Sequence, residues 1–550
     1  MNDLRLSPSP RSTRSTRFPR LLTGLTTLSA IAAAAAMLML TGCATVGPDY
    51  AGPPPVAAEA LRQARFARDE AAPAASGEQD DGQGGHDGDH AAPLQSHWWQ
   101  ALGDATLDAL IDEALSQSPT LQAAEARLRA ARAALGAQEA ADRPKGSATA
   151  LGAGVWQGPG TDHETSLHLY SVGFDATWEV DLFGGTRRAV ESASASAQAV
   201  QADLADAQVS LTAEVASTYV GLRAQQRRQA LLRGTADDEA QALALVRQRR
   251  DQGVSSADDV EQRAQQAEAT QASLADLAAQ IAASLDRLAL LTGQAPGALD
   301  ARLMAVVPSP SPSPSPSSSS PSSSSSSSPP SAAASATAAG SALPSAIAWP
   351  RLPSSVAIGD PAALLRRRPD LRAAERRLAG HTAQIGQETA KYFPKLSLLG
   401  NVGVAATSPG QLLRADNLAL AAVPYLSWNF LDFGRTAAAV RQAEAGRDEA
   451  LANYRAAVLG ALQDANTSLA RFGRQRHAVA HLQAQQDSTD RAFELARQRR
   501  AAGTASQIDL LDARRRDVDA RLKSLDGEAE LLKDFVALQK SLGLGWAEPS

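Results

Sequence analysis

The 550-residue sequence is poor in cysteine and in aromatic residues, and both shortages restrict what the protein can be. Its single cysteine, Cys43, excludes an intramolecular disulfide, a CxxC redox pair and a cysteine-rich zinc site. Aromatic residues make up only 4% of the chain, and alanine accounts for the excess in the 44% that is hydrophobic. We therefore do not expect a conventional large globular core.

Long apolar runs, basic charge and catalytic motifs are also missing. After residue 42 no run of about 18 apolar residues occurs, so we predict no transmembrane helix. The net charge is −6, and dispersed acidic charge gives no reason to expect nucleic-acid binding. Without a Walker loop, a Rossmann fingerprint, Gly-x-Ser-x-Gly or HExxH, we predict no enzyme, no catalytic residue and no cofactor. His477 and His481 are four residues apart but lack a third ligand nearby, so no metal site is predicted.

The amino terminus has the composition of an export signal. Five arginines precede an apolar stretch, Leu21–Leu40, and the sequence continues as Thr41, Gly42 and Cys43. This ending resembles the lipobox of bacterial lipoproteins, in which the cysteine is acylated, with palmitate for example, and becomes the mature amino terminus. We predict a signal peptide at 1–42, with Leu40, Thr41 and Gly42 as lipobox and Cys43 as lipidation site. The alternative is a plain secretory signal with a chance cysteine.

Two segments have compositions that do not favour a packed core. Residues 43–95 are predicted to be a lipidated tether, in which Gly-Pro-Pro-Pro is followed by an Asp/Gly/His/Gln mixture, Gly77 to His90, with nothing to bury. Residues 309–342 consist of Ser and Pro followed by an Ala/Ser stretch, and they are predicted to be a disordered insert. The insert lies in a segment, 301–350, that separates the two repeats described next.

An internal repeat organises the rest of the chain. A shift of 250 residues aligns Pro119–Leu128 with Pro369–Leu378, Pro144 with Pro394, Trp178 with Trp428, Gly184 with Gly434, and Gly253 with Gly503. One constant offset over so many positions predicts a tandem duplication. The first repeat is predicted at 96–300 and the second at 351–546.

Each repeat is predicted to contain a helix, a β-hairpin and then long helices. The first helix is expected from Thr106 to Ala141, and the first long helix from Arg187 to about Arg233, with apolar residues spaced by three and four as in a coiled coil. The hairpins are predicted at 146–181 and 396–431, where apolar and polar residues alternate. This alternation predicts a membrane-facing strand surface with Tyr170, Phe174, Trp178, Trp428 and Phe430.

Four strands of this length have the pattern of outer-membrane strands, apolar on one face and polar on the other. Four strands cannot close a barrel, and open edges are untenable in lipid. Three chains would supply about twelve strands, which is enough for a closed barrel with a water-filled lumen. The fold class predicted is therefore an α+β membrane protein that forms a trimer. The alternative is a soluble α/β protein with two hairpins.

The order of these features resembles the outer membrane factor (TolC-like) family. The resemblance is carried by the lipobox, Val46–Tyr50, the Trp98-Trp99 pair, the duplicated halves, Arg368–Leu371 and the Phe-Gly strand exits. The resemblance is stronger to its OprM-like and NodT-like lipoprotein branch, which serves resistance-nodulation-division (RND) tripartite efflux systems. It implies a homotrimer with a twelve-stranded β-barrel, continued by a periplasmic α-helical coiled-coil barrel.

The function implied by this resemblance is a passive exit duct for drugs or other small toxic compounds. The duct would be lipid-anchored in the cell outer membrane and extend into the periplasm, with a periplasmic membrane-fusion adaptor and an inner-membrane RND pump as partners. A type I protein secretion duct is one alternative. A periplasmic coiled-coil lipoprotein scaffold without a pore is another.

The resemblance also implies a pore constriction built from carboxylates. Asp512 matches the family's pore-closing aspartate, and Gln262 takes its place in the first repeat. Three copies of a carboxylate on a narrow axis would attract cations and repel one another. Asp509 and Asp259 recur at equivalent positions, where stabilisation of a helix N-terminus is the other interpretation.

Overall fold

The computed structural model describes residues 45–56, 66, 96–156, 166–304, 349–353, 356 and 361–546. Two compact units can be distinguished. The described residues of the first fall within Met1–Tyr50, Gly136–Ser192 and His381–Gly446, and those of the second within Ala51–Leu135, Ala193–Gly380 and Arg447–Ser550. The predicted signal peptide, Cys43 with its lipobox, and the Ser/Pro insert lie outside the described residues.

Helices make up most of the described chain. They are α1 (Ala105–Gln117), α2 (Pro119–Ala141), α3 (Gly185–Asp251), α4 (Ala257–Leu291), α5 (Asp300–Met304), α6 (Pro361–Arg367), α7 (Pro369–Ala390), α8 (Arg435–Ala501) and α9 (Gln507–Ser541). A 3₁₀ helix, Trp98–Leu102, precedes α1, and two 3₁₀ turns lie at Pro409–Gln411 and Ala415–Asn417. Among the described helices, none combines the length and the hydropathy that a membrane crossing requires.

The elements recur at the offset seen in the sequence. Helices α3 and α8 each have 67 residues, about 100 Å of helix, and they begin 250 residues apart. Helices α4 and α9 each have 35 residues and keep the same offset.

The predicted helix from Thr106 to Ala141 is in fact two helices, α1 and α2. The break is at Ser118, whose ψ of 125° lies outside the helical range. The physical reason is Pro119, because the proline ring disfavours helical geometry in the residue before it. Proline fits the first position of the next helix, where its missing N–H costs nothing.

Helix α3 is longer than the sequence indicates. It was expected to end near Arg233, but it continues through Gly234 to Asp251. A single glycine costs a helix only about 1 kcal/mol, and buried side chains beyond it, Ala236, Ala242 and Val246, offset that cost.

Four strands form one antiparallel sheet in the order β1-β2-β3-β4. The strands are β1 (Lys145–Trp156), β2 (Ser166–Val180), β3 (Lys395–Ala406) and β4 (Leu418–Ser427). Strand β2 joins the two repeats by pairing with β3, with Val180 opposite Leu396. Strands β1 and β4 are the outer strands, and within the described residues their outer edges have no partner strand.

The register places the apolar residues of all four strands on one face. Ala148, Phe174, Val402 and Leu420 lie side by side across the sheet. Phe174 is 67% exposed and Leu420 is 82% exposed in the single chain. An apolar surface of this kind indicates contact with lipid or with another protein.

The opposite face of the sheet carries the polar side chains, which are hydrogen-bonded to one another, and it also includes Leu151, Leu399 and Val423. The carboxylate of Asp175 accepts hydrogen bonds from the Thr149 hydroxyl at 2.7 Å and from the Asn401 amide at 2.6 Å. Near the helical end of the strands, Lys395 pairs with Glu179 at 2.8 Å. The charged and hydrogen-bonding side chains of the sheet centre therefore lie on the face opposite Phe174, as the alternation in β2 predicts.

Two predicted strand residues lie beyond the sheet. Strand β4 ends at Ser427, so Trp428 and Phe430 are exposed but not part of the strand. Pairing stops here because β3 begins at Lys395, directly after Pro394, which has no N–H to donate. The Trp428 indole donates instead to the carbonyl of Tyr392 at 2.9 Å. In the first repeat Trp178, which is half-buried in β2, makes the equivalent bond to a carbonyl, also at 2.9 Å.

The second unit has one hydrophobic core around the 3₁₀ helix and the helices near it. Trp98 and Trp99 are almost fully buried and meet edge to face. The core also contains Phe66, a residue of the predicted tether, which is 5% exposed. Phe66 packs because an isolated aromatic side chain can be buried even when its neighbours in sequence are polar. Trp349, from the segment between the repeats, packs against the same core.

A buried polar network ties this core together. The Tyr219 hydroxyl donates to the Asp104 carboxylate at 2.7 Å and accepts from the Arg223 guanidinium at 3.0 Å. Arg223 also donates to the carbonyl of Leu303 at 3.0 Å. Burial raises the pKa of Tyr219 well above its usual range, so the hydroxyl keeps its proton. The network thus joins α1, α3 and α5.

Replacing Tyr219 should destabilise the fold. Tyr219→Phe removes the hydroxyl and leaves the Asp104 carboxylate short of a donor, at a cost of about 1–3 kcal/mol in the free energy of unfolding. The measurement is the unfolding midpoint followed by circular dichroism on heating in detergent. Tyr454→Phe is the matched control, since the Tyr454 hydroxyl makes no hydrogen bond within the described part of the chain. Equal midpoints for Tyr219→Phe and the parent would contradict the role of the network.

Candidate functional site: carboxylates near the helix turns

Two equivalent turns join the long helices, α3 to α4 and α8 to α9. Gly253 and Gly503 each adopt φ of +75°, a left-handed conformation that glycine reaches without strain. After each glycine the backbone bonds back to the helix it leaves, as in the 2.8 Å bond from the Val254 N–H to the Arg249 carbonyl. The sequence of the turns therefore fixes a sharp reversal.

Asp259 and Asp509 lie in capping boxes at the start of α4 and α9. In each box the carboxylate accepts the N–H of a serine, Ser256 or Ser506, at 2.9 Å, and the serine hydroxyl accepts the aspartate N–H at 3.1 Å. Hydrogen bonds from Ser256 and from Ser506 hold the pKa of these two carboxyls below the usual range. The geometry thus assigns both residues a capping role, while their constriction role stays a prediction.

Asp512 is held by a residue that the sequence reasoning missed. Its two carboxylate oxygens accept from the two terminal nitrogens of Arg263, at 2.7 and 3.0 Å. This bidentate pair joins α4 to α9, and its side chains are 24% and 33% exposed. The hydrogen bond to Asp512 raises the pKa of Arg263. Arg263 directly follows Gln262, which the repeat aligns with Asp512, but the repeat gives no sign of the pairing.

Further ion pairs tie α9 to its neighbours in the second unit. Arg514 pairs with Asp238 on α3 at 2.7 Å. Arg228, also on α3, pairs with Asp526 at 3.0 Å. The helix that carries Asp512 is therefore connected by charge to both α3 and α4.

Helix α9 is also connected to α8, through one arginine that pairs with two carboxylates. Arg521 pairs with Asp490 at 2.6 Å and with Asp517 at 3.0 Å. The Asp517 side chain is only 2% exposed. Burial, together with the nearby Asp490 carboxylate, raises the pKa of Asp517 to about 6. Although burial opposes it, hydrogen bonds from Asp517 and Arg521 lower the pKa of Asp490.

None of these carboxylates forms a metal centre. Among the described residues no three His, Cys, Asp or Glu side chains are grouped so as to hold a metal ion. His477 and His481 are both exposed on α8. The arrangement can fix helices to one another and can present negative charge, but it offers no nucleophile with an adjacent base.

The buried carboxylate predicts a pH dependence of stability. Because the pKa of Asp517 is raised from 3.8 to about 6, the folded state binds more protons than the unfolded state between pH 4 and 6. The free energy of unfolding should therefore fall as pH rises through this window and then level off. In the parent protein this fall should lower the thermal unfolding midpoint by a few °C. Asp517→Asn should flatten the slope.

The measurement is the thermal midpoint at several pH values from 4.5 to 7.5. Asp526→Asn is the matched control, because Asp526 lies on the same helix in an exposed ion pair and should leave the slope unchanged. A slope that persists in Asp517→Asn would assign the titration to another group.

The chain is similar to curated proteins over most of its length. It is 27% identical over 456 residues to the outer membrane protein OprJ of Pseudomonas aeruginosa, covering 82% of this chain and 86% of that protein. It is 31% identical over 462 residues to the pyoverdine export outer membrane protein OpmQ of Pseudomonas putida, covering 82% and 89%. The solved outer-membrane channel OprN superimposes with a TM-score of 0.70 at 32% identity, over 92% of this chain and all of that one.

The family itself follows from a match along both repeats. The family model of outer membrane efflux proteins matches residues 110–294 and 361–544, well over half of the chain. The matched region includes both candidate turns and Asp512. The resemblance inferred from the sequence is confirmed, and the chain belongs to the outer membrane efflux protein family.

Proposed function

We propose that this protein is the passive outer-membrane exit duct of a tripartite RND-type efflux system, working as a homotrimer. The observation that carries the proposal is the two-faced sheet, with Phe174 and Leu420 exposed on one side and Asp175 hydrogen-bonded on the other. Strands with one apolar and one polar face suit a barrel between lipid and water.

The unpaired edges of the sheet support a trimer. Strands β1 and β4 pair on one side only within the chain, and exposed edges are not tolerated in lipid. Three copies would join β1 of one protomer to β4 of the next and close a barrel of about twelve strands. The long helices, with their coiled-coil spacing, would continue it as a periplasmic α-helical barrel.

The proposed partners and cargo rest on the relatives. Proteins similar to this chain include the solvent efflux pump outer membrane protein SrpC and the antibiotic efflux pump outer membrane protein ArpC of Pseudomonas putida. We propose drugs or other small toxic compounds as cargo, with a periplasmic membrane-fusion adaptor and an inner-membrane RND pump supplying contact and energy. Acylation of Cys43 would anchor the trimer in the outer membrane.

Asp512 is the proposed constriction residue. In the single chain it is neutralised by Arg263 and remains one-third exposed. Three copies on the trimer axis would form a ring of carboxylates that favours cations. Separation of α4 from α9 would break the Arg263 pair and change both the width and the charge of this ring. Asp509 and Asp259, whose carboxylates are occupied by helix caps, are secondary candidates.

The first experiment is conductance in planar bilayers, with the oligomeric mass determined from the same sample. A trimer with small, cation-favouring steps is the expected result. A non-conducting monomer would contradict the duct and favour a coiled-coil scaffold. A conducting trimer that supports protein secretion, but not drug efflux, would indicate a type I secretion duct instead.

Substitutions at the ion pair should alter the pore in different ways. Asp512→Ala should increase conductance severalfold and reduce cation preference, since it removes the charge and the bridge together. Arg263→Ala should also increase conductance but strengthen cation preference, because the carboxylate stays. Arg228→Ala is the matched control, since it breaks an exposed α3–α9 pair. Unchanged conductance in Asp512→Ala would rule out its constriction role.

A further inference from the structure

The first described residues of the chain lie against the point where strand β2 passes into helix α3. The Val46 N–H donates to the Phe183 carbonyl at 3.1 Å, which is a backbone bond between segments far apart in sequence. Residues 45–49 belong to the same compact unit as the sheet. We call them the amino-terminal segment.

Arg188, in the first turn of α3, binds this segment. Its side chain is only 4% exposed. The guanidinium donates to the Val46 carbonyl at 3.1 Å and to the Gly47 carbonyl at 3.3 Å, and it pairs with Asp49 at 2.5 Å. The remaining contact is Glu191 on its own helix, at 2.7 Å. A buried guanidinium needs such partners, and most of them come from the amino-terminal segment.

The backbones meet so closely that only glycine fits. A Cβ on Gly386 of α7 would lie 2.7 Å from the Val46 carbonyl oxygen and 2.8 Å from Cγ of Arg188. A Cβ on Gly47 would run into the Gly386 backbone, and one on Gly184 would run into Thr45. The groove between Gly184 and Gly386 is therefore shaped for this segment.

The internal repeat supplies a comparison within the same chain. Gly136 and Gly434 stand 250 residues from Gly386 and Gly184, yet an added Cβ at either would meet nothing within 4 Å. Ala438 stands where the first repeat has Arg188. Among the described residues the glycines are thus repeated, but the arginine and its bound segment occur only once.

We propose that Arg188, Gly184 and Gly386 form a docking site for the processed amino terminus of this same chain. Thr45 is two residues from Cys43, so docking would hold the lipid-bearing residue within about 7 Å of Thr45, at the helical end of the sheet. This consequence rests on the lipidation of Cys43 under the proposed function. The docking site, rather than the acyl chain, sets the position of the amino terminus and joins it to α3 and α7.

Hydrogen–deuterium exchange of the purified, detergent-solubilised protein tests the proposal by mass spectrometry. The backbone amide of Val46, which is hydrogen-bonded to the Phe183 carbonyl, should be protected in the parent protein. Arg188→Ala and Gly386→Ala should speed exchange at Val46 about tenfold or more, because the docked segment would open. Arg187→Ala, an exposed neighbour paired with Asp181, and Gly136→Ala are matched controls that should keep the protection.

Peptides from β2 in the same spectra report whether the sheet is intact. If they also lose protection in Arg188→Ala, then Asp49→Ala decides, because the Asp49 side chain is 89% exposed and its loss should spare the sheet. Fast exchange of the Val46 amide in the parent, or unchanged protection of it in both Arg188→Ala and Asp49→Ala, would overturn the proposal. The mass of the amino-terminal peptide shows acylation separately, so a protected but unacylated terminus would refute the lipid anchor and not the docking site.

Discussion

Backbone hydrogen bonding along the sheet is the constraint on which the other features depend. Strands β1 and β4 each pair on one side only within the chain, and unsatisfied N–H and C=O groups are costly where water is excluded. The apolar face around Phe174 is exposed in the single chain, so a surrounding lipid or protein would have to shield it from water. Under the proposed function, another copy of the chain would pair these edges, since it would present the complementary edge at the same height, and lipid would cover the apolar face. The proposed trimer and its barrel answer this requirement more simply than a covering domain would.

Features that depend on residues close together in the sequence could be predicted from the sequence. Alternation identified the faces of the strands, and the offset of 250 residues located equivalent glycines and caps. The break at Ser118 could have been predicted from Pro119 alone. Contacts between distant segments could not: Phe66 is buried by residues far along the chain, and Arg263 meets Asp512 across 249 positions. Nothing in composition or spacing specifies such partners, because they depend on which helices become neighbours.

The two repeats agree where the backbone must turn and differ where charges meet. Gly253 and Gly503 share one φ, and the capping boxes have the same bond lengths in both repeats. The charged pairs are not repeated in this way. Arg188 is replaced by Ala438, and Asp512 by Gln262. The backbone geometry is thus duplicated, while the bonds that join helices or hold the amino terminus are particular to one repeat.

The polar contacts of the molecule differ in how much free energy is needed to break them. The Tyr219 network is buried, so breaking it would leave polar groups unsatisfied at a cost of about 1–3 kcal/mol each. The Arg263–Asp512 pair is a quarter to a third exposed, so water can reach both side chains and replace either partner, which makes the pair less costly to break than the buried network. A force applied to the ends of α4 and α9 would therefore break this pair well before it disturbed the turns or the core. A constriction that opens reversibly needs a contact that breaks at low free-energy cost beside turns that keep their shape.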